Sequence, residues 1–518
     1  MPEPVRVARS RRQPAHTSAR RGQSAFEWLD DRVRASKHRQ LLNHIFPDHW
    51  SFMLGEMAMY SFIFLVVTGI FLTMYFKPSD TMVVYHGSYA PLDGTRMPEA
   101  YLSMLNLSFR VRAGLLVRQA HHWAANIFIG AIVVHMMRVF FTGAFRRPRE
   151  LNWMIGATML ALAIFNGFLG YSLGDDLVSG IGVRIAYSIV ESIPLVGSYL
   201  AVWLWNGTFP GHIITTRFFI FHVLILPGAI AALLALHLAF IWTQEHTEFK
   251  KKGASEQTIT GTPLWPGFTA KSGGFMLVVF GVLVTLAAVV QIDPVWQFGP
   301  FVPFKATDAA QPDWYMGWLE GALRLWPNWE VNLPGHMIPV VFFPAVLLPL
   351  LTWAIIYAWP SLEKRFTGDR DRHNLLDHPR DRPGRTAFGV GALTFYFLLF
   401  VAGGDDVLSN FFHFSIEDFV WGMRITTIVL PLVSGLVAYK ICLELQGQRR
   451  RTARPRFLIV ERAESGYYAA TDGLAVPGEE EPDPLDVEEA GNRAAEAVSP
   501  LDERPPTPSG TTESRRAP

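Results

Sequence analysis

Four histidines stand in two pairs of nearly equal spacing: His121 and His135, fourteen residues apart, and His222 and His237, fifteen apart. At about 1.5 Å of rise and 3.6 residues per turn, each interval is close to four helical turns, so both members of a pair share one helix face about 21 Å apart. Two such helices entering a membrane from the same side set His121 level with His222 and His135 level with His237. Each level then offers two imidazole nitrogens to one metal, as a six-coordinate heme iron requires if it is to change redox state without binding substrate. A lone buried histidine is more often a packing group, but ionisable side chains inside a span are costly and mark function. His122 has no partner in register, so packing or a supporting hydrogen bond is expected of it.

Glycines repeat the same interval. Gly55 and Gly69 are fourteen apart, as are Gly156 and Gly170. A planar macrocycle wedged among four helices needs close approach without a Cβ, although small residues also serve ordinary helix packing in membranes. Arg118 and Arg217 precede the first histidine of each pair by three and five residues. Their guanidinium groups suit heme propionates, or they snorkel to the interface.

These residues need long apolar helices to hold them. Of 518 residues, 50% are hydrophobic, and a span needs roughly 20 apolar residues. Eight segments qualify, A to H: 52–76, 116–141, 151–173, 217–243, 274–292, 336–359, 386–403 and 419–445. The expected class is an all-α polytopic membrane protein, with A–D a four-helix diheme bundle (41–250) and E–H following (251–445). The arm 1–40 is read as cytoplasmic, polar and too long for a cleaved signal, and 446–518 as a disordered cytoplasmic tail. Basic clusters such as Arg146, Arg147 and Arg149, Lys250 to Lys252, and Arg449 to Arg451 fall on one side if every segment crosses, which puts both termini in the cytoplasm. The single cysteine, Cys442, excludes disulfides and covalent c-type heme, and no basic, aromatic-interleaved module suggests nucleic acid.

The C–D and E–F connections are long and Trp-rich, which suggests short helices at the outer membrane surface. In the second, Pro312-Asp313-Trp314-Tyr315 combines a rigid turn, a carboxylate and two aromatics. Quinol oxidation releases protons with its electrons, and Asp313 could accept one. Together these residues resemble cytochrome b of the cytochrome bc complexes over about 40–445. The resemblance rests on the four histidines, the four glycines, Gly182-Val183-Arg184 to Ile193-Pro194-Leu195-Val196-Gly197, Trp203-Leu204-Trp205-Asn206-Gly207, and Pro-Asp-Trp-Tyr where the family usually has Pro-Glu-Trp-Tyr. The aspartate and the long charged tails are similar to the actinobacterial, menaquinol-oxidising type.

The resemblance implies a quinol:cytochrome c reductase subunit with two non-covalent heme b groups and bifurcated electron transfer. It also implies a Rieske iron–sulfur subunit, a cytochrome c subunit, a homodimer in membrane lipid and a terminal oxidase supercomplex. Tyr171, Gly182, Pro312, Asp313 and Tyr315 should line the outer quinol pocket, and Glu320 either shares the proton role or is a surface acid. At the inner quinone site Lys271 is retained, whereas Ser272 replaces the family's acid, so another donor is needed, with His246 and Glu245 as candidates. Met53 occupies the place of a heme-anchoring cysteine in the chloroplast-type branch, so no extra heme is expected. Competing readings are a diheme b anchor without bifurcation, which would lack the Pro-Asp-Trp-Tyr loop, and a transporter using histidines as a proton relay.

Overall fold

The computed structural model describes residues 43–211, 213–307 and 311–453, together with the strands Leu458–Arg462 and Tyr468–Asp472. The expected arm 1–40 and most of the expected tail lie outside these residues. Among the described residues eight helices are long and apolar enough to span a membrane: α1 (Trp50–Thr73), α2 (Gly114–Thr142), α3 (Glu150–Ser172), α4 (Ile214–Gln244), α5 (Leu264–Val289), α6 (Phe343–Thr367), α7 (Pro383–Ala402) and α8 (Ile416–Gly447). The fold is all-α, with strands of two to five residues only. In hydrocarbon each span must satisfy its own backbone, and a helix does so.

Two boundaries differ from expectation for local reasons. Helix α5 starts earlier than expected because the regular helix Thr269–Val289 is preceded by the apolar segment Leu264–Phe268, which is kinked at Trp265, where the backbone is extended. Helix α6 starts at Phe343 because His336–Ile338 pairs with Val331–Leu333 as a small hairpin, and it then runs on through its polar end to Thr367.

Helices α1 to α4 enclose a core of Ala58, Phe62, Phe128, Ile129, Leu160, Ala163 and Ile230, closed on one side by Tyr315. Helix α5 packs on α1 and α2 through Tyr60, Ala124, Val279 and Leu283. At one end of the bundle the A–B, C–D and E–F connections meet: Tyr101 Oη donates to the Val295 carbonyl at 3.0 Å, Thr216 Oγ1 to the Pro78 carbonyl at 3.0 Å, and Asp176 pairs with Pro300. The surface helix Leu177–Glu191 is started by Asp176, whose carboxylate accepts from the backbone of Val178 and Ser179. At the other end, Arg149 donates to the carbonyls of His373 and Gln244, and Arg385 bridges Glu363 and Asp377. There Ile45–Phe46 also pairs with Thr262–Pro263, tying the entry of α1 to that of α5.

The chain divides into two compact units at Gly447–Gln448, close to the expected end of the membrane part. The last helix continues into the second unit as far as Ala453. Within the stretch expected to be disordered, Leu458–Arg462 and Tyr468–Asp472 form an antiparallel pair. Leu, Ile and Val in one strand and Tyr, Ala and Thr in the other suit a pleated ladder better than composition over the whole tail suggested.

Candidate functional site

The first histidine level joins α2 and α4. The rings of His121 and His222 stand 6.1 Å apart at 75°, a separation that admits one ion bonded at about 2 Å to a nitrogen of each ring. His222 Nδ1 donates to the Asn166 carbonyl at 2.9 Å. Thr68 gives its hydroxyl proton to the Phe64 carbonyl at 2.7 Å, so the 2.9 Å contact with His121 has the imidazole Nδ1 donating. Both rings therefore keep the Nε2 lone pair free for a metal.

The fifteen-residue interval on α4 would overshoot four turns by about 60° in a regular helix. Phe221–Ile225 is wound as a π turn, which takes up one extra residue. Pro227, next along, has no N–H for an α bond and favours the wider turn. The defect lies between His222 and His237, so it returns the pair to the register that fourteen residues give on α2.

Each predicted glycine opposes one of the four imidazoles. A Cβ on Gly170 would lie 2.4 Å from His222 Cε1, on Gly55 3.2 Å from His135, on Gly69 3.3 Å from His121, and on Gly156 3.7 Å from His237. Helices α1 and α3 thus leave out Cβ atoms at both levels. Among the described residues no three His, Cys, Asp or Glu side chains converge as a metal site. Two imidazoles per level with no further protein donor fit an iron whose other four ligands come from a porphyrin.

Arg118 is buried, donating to the Asp293 carbonyl at 2.8 Å, and its Nε has no partner. Arg217 turns instead to the carbonyls of Trp203 and Leu204. Arg138, three residues after His135, was not singled out by the sequence reading. Its Nε and Nη2 are buried without partners while its guanidinium lies over Phe52. Arg118 lies three residues before the first histidine and Arg138 three after the second. That symmetry was the available signal; the unpartnered Nε and Nη2 of Arg138 fit the propionate of a bound heme, whereas Arg118 has only Nε free, its other nitrogens being engaged by Asp293.

A cavity of about 270 Å³ opens beside the first level, lined among others by His121, His222, Gly69, Gly170, Tyr171, Asp293, Asp313 and Tyr315. Asp313 accepts from His122 Nε2 at 2.9 Å and from Tyr315 Oη at 2.9 Å. Burial pushes the Asp313 carboxyl up, but the hydrogen bonds and charge from His122, with the Tyr315 hydroxyl, outweigh burial and hold it below the usual range. His122 is therefore the supporting hydrogen-bond donor, and its Nδ1 lies 4.0 Å from Asp293. Gly167 gives Tyr315 its room, since a Cβ there would meet the hydroxyl at 2.5 Å.

Other predicted residues lie elsewhere. Pro312 only enters the turn. Nothing lies within 4 Å of where a Gly182 Cβ would stand, and Gly182 does not line the cavity. Glu320 is bound to Arg324, 2.5 Å away. Burial pushes its carboxyl up, partly offset by that arginine. At the opposite end Lys271 donates to Asp48 at 2.7 Å. His246 packs against His44 and Phe46, and Glu245 accepts from Asn374.

The family profile described as "Cytochrome b(N-terminal)/b6/petB" matches residues 126–300. A "Cytochrome bc1 complex cytochrome b subunit" of Streptomyces coelicolor is 48% identical over 427 residues, 82% of this chain and 78% of the relative. The subunit of the same name from Mycobacterium leprae is 44% identical over 92% of this chain and 87% of its own. Among solved structures, "Hyperthermophilic respiratory Complex III" shares the fold with a TM-score of 0.58 at 20% identity, covering 80% of this chain and 99% of that one. With close to half its residues identical to these relatives over most of its length, the chain belongs to the family of cytochrome b subunits of cytochrome bc1 complexes.

Proposed function

We propose that this chain oxidises menaquinol at the cavity beside the first histidine level, on the outer face of the bacterial plasma membrane, with both chain termini cytoplasmic. One electron leaves to a Rieske iron–sulfur partner and then to a cytochrome c subunit. The other crosses toward a quinone at the opposite end, so that proton release outside and uptake inside build a gradient. His121 with His222, and His135 with His237, would hold two b hemes, which when bound supply one-electron carriers at two depths. Arg118 and Arg138 would meet their propionates.

The observation that carries this reading is that Asp313, His122 and Tyr315 open into the same cavity as His121 and His222. A quinol seated against Asp313 and Tyr315, beyond the space between His121 and His222 that a heme would take, stands beside both a proton acceptor and the first electron carrier. Asp313, ionised and fixed by two donors, accepts the hydroxyl proton, while Tyr171 and Phe128 keep water from the ring. A homodimer within a supercomplex containing a terminal oxidase is the assembly that the resemblance supports.

The test is Asp313→Asn in membranes holding the whole complex. Quinol oxidation should fall by about 100-fold, with the reduced-minus-oxidised spectrum still showing two b components. Unchanged turnover removes Asp313 from the proton path.

A further inference from the structure

The family pattern places an acid where this chain has Ser272. The structure returns a carboxylate to that place from another helix. Ser272 Oγ on α5 donates at 2.5 Å to Glu56 Oε2 on α1, and the Tyr60 hydroxyl closes a short hydrogen bond onto Ser272 Oγ. Tyr60 is buried, and Glu56 is half-buried beside it. Glu56 directly follows Gly55, the glycine opposing His135, so its carboxyl is carried at the depth of the second histidine level. The preceding residue on α5, Lys271, donates to Asp48, and Thr262 closes a short hydrogen bond onto the same carboxylate. Asp48 and Lys271 are both well exposed. The adjacent α5 residues Lys271 and Ser272 thus hold an exposed carboxylate, Asp48, and a half-buried one, Glu56, the first reaching solvent and the second reaching the second level.

We propose that Glu56 is the proton donor to the quinone reduced at the second level, taking the part that the family's acid has at position 272. The assignment rests on the function proposed above. Reduction of one quinone takes two electrons, which a heme held at that level would supply singly, and two protons. Each carbonyl oxygen becomes a hydroxyl. Glu56 gives its carboxyl proton to one carbonyl oxygen, the other oxygen takes its proton from the aqueous side, and the carboxylate left at Glu56 is held by Ser272 until it is reprotonated from that same side, where Asp48 and Lys271 stand. A glutamate at 56 thus supplies, across the α1–α5 contact, the carboxyl that the family pattern has at 272.

The test uses membranes with the complete complex. After a quinol pulse, Glu56→Gln should leave first-level reduction unchanged and slow reoxidation of the second-level b absorbance by about 100-fold. Glutamine keeps the size of the side chain and an acceptor for Ser272, so a purely structural tie between α1 and α5 would leave the rate unaltered. Adding Ser272→Asp to Glu56→Gln should restore most of the rate. The infrared difference spectrum on reduction should show a protonated-carboxyl band that Glu56→Gln lacks. Reoxidation at the native rate in Glu56→Gln, or persistence of that band, overturns the assignment. If Glu56→Gln loses its hemes, Ser272→Ala keeps the acid but removes its donor. It should slow the same step about 10-fold, less than the roughly 100-fold that losing the proton-transfer group itself costs, and an unchanged rate overturns the assignment equally. Failure of quinol to reduce the first level in unmodified membranes would instead overturn the functional reading itself.

Discussion

The two histidine levels are built from the same parts and held differently. At the first, both rings are tethered through Nδ1, His121 to Thr68 and His222 to the Asn166 carbonyl, and Gly170 opposes His222 far more closely than any other glycine opposes its imidazole. At the second, His135 Nδ1 is buried without a partner and Gly156 stands at ordinary contact distance. The difference follows what each level adjoins. The first shares its cavity with Asp313 and Tyr315, where an error of about 1 Å in placement can cost two orders of magnitude. The second lies next to an acid and a serine on two different helices, an arrangement that tolerates more play.

The sharpest way to break this comparison is to add one methyl group at each level. In Gly170→Ala the new Cβ meets His222 Cε1 at 2.4 Å and Nε2 at 2.9 Å, and the ring cannot swing freely because Nδ1 is tied down. Overpacking of this kind costs about 1–3 kcal/mol. First-level heme should be lost from a large part of the purified complex, as read by heme per polypeptide and by the spectral component that quinol reduces first. Gly156→Ala, with 3.7 Å available, should keep nearly full heme content. Equal losses in the two variants would show that the levels are packed alike.

The helices, the four histidines and the glycines that oppose them were legible because each depends on one chain's own periodicity. Spacing of fourteen residues fixes a face and a depth without reference to any neighbour. What escaped depends on how helices are rotated against each other. His122 was expected to pack or support, but that it supports Asp313 needs the E–F turn to be laid across α2. Arg138 could be found only by noticing that it mirrors Arg118 about the two histidines. Glu56 was invisible as a stand-in for the acid at 272, because nothing in one sequence says that the first turn of α1 faces the first turn of α5. The mismatch of fourteen against fifteen was visible, and Pro227 carried its explanation, since a proline inside a span forces the backbone to find another bond. Gly182 and Glu320 had been placed through the family pattern and Arg217 by its spacing from His222, and here they sit in an open helix surface, an ion pair with Arg324 and a pair of loop carbonyls.

A smaller effect sharpens the account of the first level through pH. The Asp313 carboxyl is lowered in the folded protein, so the stabilisation from its pairing is present above the ordinary carboxylate range and is lost as pH falls through the lowered value. Quinol oxidation should therefore show no acid limb from this group near neutrality. His122→Gln keeps a donor but removes the imidazole's charge, leaving burial to dominate. The acid limb should then move to higher pH, read from the pH profile of quinol-driven heme reduction. A profile identical to that of the unmodified protein would mean that His122 does not hold Asp313 ionised.

The smallest effect expected is at Gly182, which the family pattern places in the outer pocket and the structure places on the surface helix Leu177–Glu191. No atom lies within 4 Å of a Cβ built there, and the backbone is helical. Alanine therefore meets no clash, and in a helix interior it is favoured over glycine by up to about 1 kcal/mol. Gly182→Ala should leave quinol oxidation within about twofold and Tm unchanged or slightly raised, a surface substitution of the kind worth less than about 0.5 kcal/mol in either direction apart from that helical gain. A several-fold loss of oxidation at unchanged Tm would place the quinol or the Rieske partner against this helix face and extend the outer site beyond the cavity between α2, α3 and the Pro312–Tyr315 turn. An unchanged rate restricts the site to residues that touch that cavity, and the tethered first level is then all the outer site requires from the bundle.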